Sequence, residues 1–119
     1  MSHKIIISGD REWTGPELEH RLRTLFSILP KDYEIIHGAC KGVDLTAEKI
    51  AQECGFKTKA FPADWNKYGR AAGPIRNSQM LKENPITVYL FHQHFERSKG
   101  TRSMYELAKK ARIPTYLVS

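Results

Sequence analysis

The sequence predicts an α/β fold: a mostly parallel five-stranded sheet carrying helices on both faces. Two observations predict it. Short β-branched runs alternate with longer stretches whose apolar residues fall three or four apart, and glycine and proline punctuate the joins between them. Length sets the scale. With 119 residues, 40% of them hydrophobic, the chain can fill one compact core and is too short for two ordinary domains, so a single domain over 1–119 is expected.

KIIIS, Lys4 to Ser8, is the first strand. A helix follows from Thr14 to Leu29, with Leu18, Leu22, Leu25, Phe26 and Leu29 on one face and Thr14 and Glu17 at the spacing of a capping box. EIIH, Glu34 to His37, is the second strand, and the helix after it runs from Val43 to Cys54, where Gly55 ends it. FKTKAF, Phe56 to Phe61, is the third strand; its helix spans Pro74 to Asn84 and is stopped by Pro85. ITVYLF, Ile86 to Phe91, precedes a helix from Thr101 to Arg112, and PTYLV, Pro114 to Val118, closes the sheet. Such βα alternation implies right-handed crossovers, and it gathers the loops that leave the strands at one edge. In open α/β sheets ligands bind at that edge, near the point where strand order reverses.

Composition excludes some classes. No apolar run approaches the roughly 20 residues of a membrane span, and MSHKIIISGD lacks the shape of a signal peptide, so a soluble cytoplasmic protein is expected. Cys40 and Cys54 have no CxxC spacing, and neither a disulfide framework nor a structural zinc site is expected. The net charge of +6 favours an anionic partner, but the lysines and arginines are spread among acids and form no tail. No internal repeat, low-complexity tract or linker is present.

Four loops meet at the expected edge: GDREWTG, GACKGVD, PADWNKYGRAAGPIRN and HQHFERSKGTR. Their glycines let backbone amides face a ligand, and the helix starts behind them supply unpaired N–H donors. The positions of the charges are unusual. Helix dipoles favour acids in the first turn and bases in the last, and Glu17 and Glu19 obey, yet Arg76 and Arg102 are expected in first turns and Lys99 just before one. Lys41 likewise precedes the second helix, partly offset by Asp44. Cations converging on one edge repel one another and relax around phosphate.

Each of these residues has a second reading. Asp44 serves either as a helix N-cap or as a ligand contact. Gly38 and Gly42 serve as turn residues or as part of an anion site, and Trp65 and Tyr68 either stack on a base or plug the edge of the core. His92 and His94 resemble a metal motif, but no third ligand stands at metal spacing, so no metal is expected. His37 reads as a strand-end residue, and Arg97 with Lys99 also fits a solvated loop.

SGDREW, GACKGVDLTA, FPADWNKYGRAAGPIRNSQM and SKGTRSMYELAKKARIP occur in this order, and on them the chain resembles the SLOG superfamily in its YspA-type branch. That group is related to the LOG phosphoribohydrolases and to the nucleotide-binding core of DprA. The resemblance implies a Rossmann-like three-layer α/β/α fold and a nucleotide or nucleotide-derived ligand, with no further cofactor required. By position it implicates Gly9 and Arg11 in the first loop, Gly38, Lys41, Gly42 and Asp44 in the second, Asp64, Trp65, Arg76 and Asn77 in the third, and Lys99, Gly100 and Thr101 in a phosphate loop. The chain departs from the LOG pattern where that enzyme group carries its catalytic glutamate, since Met104 stands there. Ala39 replaces a common glycine, and Asp10 stands where serine is common.

Three functions compete at this level. The leading one is a sensor or sequestering module for a nucleotide ligand. Hydrolysis of a nucleotide N-glycosidic bond is the second, with Asp64 or Asp44 as the candidate catalytic carboxylate. Single-stranded nucleic-acid binding comes last, because the cations lack interleaved aromatics. A homo-oligomer is expected by analogy with related folds.

Overall fold

The computed structural model describes residues 3–119. Its strands are β1 (Lys4–Gly9), β2 (Glu34–His37), β3 (Lys57–Ala60), β4 (Thr87–Phe91) and β5 (Thr115–Val118), and its α-helices are α1 (Pro16–Ile28), α2 (Val43–Glu53), α3 (Trp65–Tyr68), α4 (Ala72–Leu81) and α5 (Gly100–Lys110). Every strand pairing is parallel, in the order β3-β2-β1-β4-β5. The chain thus winds outward from β1 to β3, then crosses to the far side of β1 for β4. Strand order reverses between β1 and β4.

Alternation along β1 splits the core into two layers. Ile5 and Ile7 face α1 and α2, packing with Leu18, Leu22, Phe26, Ala47 and Ile50. Ile6 faces the other way, and with Ile36, Val88 and Leu90 it covers Met80 of α4 and Met104 and Ala108 of α5. These are the three layers of a Rossmann-like sandwich.

The strands match the sequence expectation to within a residue or so at their ends, as do the starts of α2 at Val43 and α5 at Gly100, whereas α1 and α4 start two residues from the expected Thr14 and Pro74. Gly15, at φ 106°, is the N-cap of α1 and no side chain caps it. Pro16 takes the first helical position, where its missing N–H is harmless, and this pushes Thr14 outside the helix and dissolves the expected capping box. Gly42 caps α2, so Asp44 is its second residue and not its N-cap. The third loop contains the short helix α3 and a 3₁₀ turn, Gly69–Ala71, before α4 begins at Ala72. Pro74 then sits in the first turn of α4, where N–H groups have no intrahelical acceptor, and Arg76 falls in the second turn, not the first.

Met104 is fully buried between α5 and the sheet. Met104→Glu, which writes in the LOG glutamate, should therefore bury an unpaired carboxyl and cost about 3 kcal/mol or more. Urea denaturation of the variant reads this directly. Unchanged stability would mean that the position faces the ligand edge.

Candidate functional site

The loops leaving β1 and β4 and the start of α5 enclose a cleft of about 660 Å³ at the point where strand order reverses. It brings together seven of the residues singled out in sequence: Arg11, Trp65, Arg76, Asn77, Lys99, Gly100 and Thr101. A smaller hollow of about 300 Å³ adjoins it, sharing Arg11, Trp65 and Arg76 and adding Gly38 and Lys41. Gly9, Gly42, Asp44 and Asp64 line neither cavity.

Arg76 is the pivot between the two cavities, and the chain itself already uses its charge. The side chain is 7% exposed. Its Nη1 donates to the carbonyls of Gly38 and Phe61, and Nε donates to Asn77 Oδ1 at 2.9 Å. The guanidinium thereby ties the loop after β2 to the end of β3. Gly38 has to be glycine for this, since a Cβ there would collide with the guanidinium. Arg76 is thus a brace of the folded chain, whereas its charge alone suggested a cation waiting for a guest.

Asp44 stands behind the same loop. Its Oδ2 accepts from the amides of Gly38 at 3.0 Å and Cys40 at 3.4 Å, while Oδ1 is buried with no hydrogen-bond partner among the described residues. Burial pushes its carboxyl up to about 6, against the opposing pull of Arg76, the Cys40 amide, His37 and the Gly38 amide. His37, fully buried, accepts from the Ala39 amide through Nδ1 at 3.0 Å and meets Glu48 Oε1 through Nε2 at 3.1 Å. Gly42, at φ 81°, brings its Cα against the Asp10 and Arg11 backbone with no room for a side chain. The second glycine loop is therefore shaped by its own carboxylate, arginine and histidine.

At the amino end of α5 the charge has no such outlet. The first turn of this 11-residue helix holds no acid, and Lys99 is its N-cap. Lys99 and Arg102 have no carboxylate partner among the described residues. Lys99 lines the cleft, and Arg102 lies on the outer groove between α4 and α5. Thr101 is buried at the helix start, its amide donating to Ser98 Oγ at 2.9 Å. Lys41, in contrast, pairs with Glu12 at 3.0 Å in an exposed contact that contributes little.

The opposite wall is aromatic. Trp65 is 49% exposed, and the Arg11 guanidinium lies 5.7 Å from its ring centroid. Asp64 caps α3, accepting from the Lys67 amide at 3.1 Å. Gly9 closes β1, where a Cβ would strike the Phe91 carbonyl and Val43.

Residue types alone did not single out Arg70, Asp10 or His92 for the cleft, yet all three line it. Asp10 and His92 come from loops after neighbouring strands, and only the β1–β4 pairing brings them together. Among the described residues no group of three His, Cys, Asp or Glu stands close enough to hold a metal ion, and no helix is long and apolar enough to cross a membrane.

A parallel sheet with a basic, partly aromatic cleft at its reversal point defines a Rossmann-like ligand-binding fold. The family model YAcAr, the YspA, cpYpsA-related SLOG family, matches residues 3–68, more than half of the 119 residues, and the chain belongs to that family. Gene 61 protein of Mycobacterium phage D29 is 29% identical over 117 residues, which take in 93% of this chain and 92% of that one. Among solved structures, DNA processing protein A (DprA) from Streptococcus pneumoniae matches with a TM-score of 0.78 at 16% identity, over 99% of this chain and 50% of that one. The chain thus spans about half the length of DprA, and the likeness is one of fold.

Arg76→Met should destabilise the protein by about 2–4 kcal/mol at pH 7, because it strips two buried carbonyls and leaves Asp44 uncompensated. The loss should shrink near pH 4, where Asp44 is protonated. Denaturation at the two pH values checks it. A raised carboxyl pKa means that the folded state holds its proton longer than the unfolded one, so Asp44 should lower stability progressively as pH rises from about 4 to about 6. The stability difference between the parent and Asp44→Asn should change across that window and be level above it.

Proposed function

We propose that the protein binds a nucleotide or nucleotide-derived ligand in the cleft between β1 and β4, as a sensor or sequestering module. One observation carries this: the acid-free amino end of α5 opens into the cleft with Lys99 unpaired beside it. A helix start of this kind attracts phosphate through its free amides and its dipole. Arg70 and Arg11 extend the positive wall, and Trp65 offers half of its ring to a base. Membership of the SLOG family supports the same ligand class.

Arg76 and Asn77 set the shape of the floor in this reading, and Lys99, Gly100 and Thr101 hold the phosphate. The carboxylates named for the hydrolytic alternative do not line the cleft: Asp44 is buried behind the second loop and Asp64 caps α3, while Met104 stands in the core at the LOG glutamate position.

Isothermal titration against ADP-ribose, NAD and the nucleoside monophosphates tests the proposal. At least one should bind well below millimolar, and Lys99→Ala should weaken it about three- to ten-fold by removing one charge-assisted contact. No binding better than millimolar to any of them would end the reading.

A further inference from the structure

The geometry points to a hydroxyl-recognition subsite made by Asp10 and His92, which selects ribosyl over deoxyribosyl ligands. It rests on the nucleotide reading above and names the part of the ligand that this end of the cleft would hold.

The two side chains sit at the reversal point, one on each side of the β1–β4 pairing, and both line the cleft. They are held from behind by the backbone. Asp10 Oδ1 accepts from the Glu12 amide at 2.9 Å, and the Asp10 carbonyl accepts from the amides of Trp13 and Val43. His92 Nδ1 accepts from the His94 amide at 2.9 Å. In the neutral ring that bond leaves the proton on Nε2, so Nε2 is a donor.

Nε2 faces Asp10 Oδ2 at 3.9 Å, with the two side chains 11% and 19% exposed. This separation is too long for a hydrogen bond. The cleft therefore presents a donor and an acceptor side by side, each largely withdrawn from water. A single oxygen about 2.8 Å from both, seated beside the line that joins them, must accept from one and donate to the other, as an alcohol does and a phosphate or ketone does not. A carboxylate in a basic cleft repels phosphate, which makes this end the sugar end and leaves Lys99 and the start of α5 for the anion. The spacing also explains why a histidine pair that looks like a metal motif has another use: Nδ1 of His92 is already taken by the backbone.

The same geometry argues against base catalysis by His92, because its free nitrogen already carries the proton. Asp10 and His92 are thus specificity-determining residues here. A site built to bond a hydroxyl rejects the analogue that lacks it, since the buried donor and acceptor are then left unpaired.

Titration calorimetry of the parent and of Asp10→Asn with AMP, 2′-deoxy-AMP, 3′-deoxy-AMP and ADP-ribose tests the subsite. In the variant the amide oxygen keeps the bond from the Glu12 amide and the amide nitrogen turns toward His92, so two donors remain: a hydroxyl can accept from both, but its own proton has lost the charged acceptor. The parent should bind AMP about ten-fold or more tightly than one of the deoxy forms. Asp10→Asn should lose most of that preference, read as the ratio of the two affinities, because loss of the carboxylate also removes its repulsion of phosphate and raises both. Retained binding of the deoxy form establishes that the variant is folded. Equal parent affinity for AMP and both deoxy forms, or discrimination that survives undiminished in Asp10→Asn, overturns the subsite and leaves the nucleotide site standing. Failure of all four ligands to bind overturns both.

Discussion

The contact of Arg76 with the loop after β2 is the constraint on which the edge of this sheet depends. A buried guanidinium needs acceptors and an opposing charge, and this one finds carbonyls at Gly38 and Phe61, an amide oxygen at Asn77 and the field of Asp44. Asp44 in turn holds the amides of Gly38 and Cys40. Neither charge reaches the ligand side of the loop as a free group. Their work is to fix the ends of β2 and β3 in one arrangement, so that the walls of the cleft stand still before any guest arrives.

With that half of the edge settled internally, the remaining charge has a direction. The chain reverses between β1 and β4, which opens the sheet edge at the point where α5 presents its free amides. Among the described residues Lys99 on this side forms no ion pair with a carboxylate, whereas Lys41 on the other side pairs with Glu12. The two cavities therefore differ in kind: the smaller is a product of the brace, and the larger is where an anion gains most. Asp10 puts a carboxylate on the larger one, and the proposed reading assigns the phosphate to the α5 end and a hydroxyl to the Asp10 end.

Much of the fold was legible because its signals are local and repeated. Consecutive β-branched residues mark β1, β2 and β4, and the apolar faces of α1, α2 and α5 follow helical spacing. Helix starts were less legible, because a cap residue chooses among partners that sequence does not rank. Asp44 had the right type for a cap and was drawn instead to the amides of its own preceding loop, and Thr14 lost its role to the Gly15–Pro16 pair. The helix α3 is four residues long, too short to leave a periodic trace.

The site divides in the same way. Lys99 could be found from charge out of place at a helix start, Gly100 and Thr101 only from the family resemblance, and the structure puts all three on the cleft. Arg76 carried the same signal and answers to a different cause, since an arginine wanted by an anion and one wanted by two buried carbonyls look identical in sequence. Asp10 and His92 left no shared pattern at all; the parallel register of Gly9 with Phe91 is what makes them neighbours.

The division of labour between the two loops can be read residue by residue in a ¹⁵N-resolved NMR titration with AMP. The amides of Lys99 and Gly100 should shift first and furthest, while those of Gly38 and Cys40, already bound to Asp44, move little. The largest shifts falling on Gly38 to Gly42, with the start of α5 silent, would contradict it.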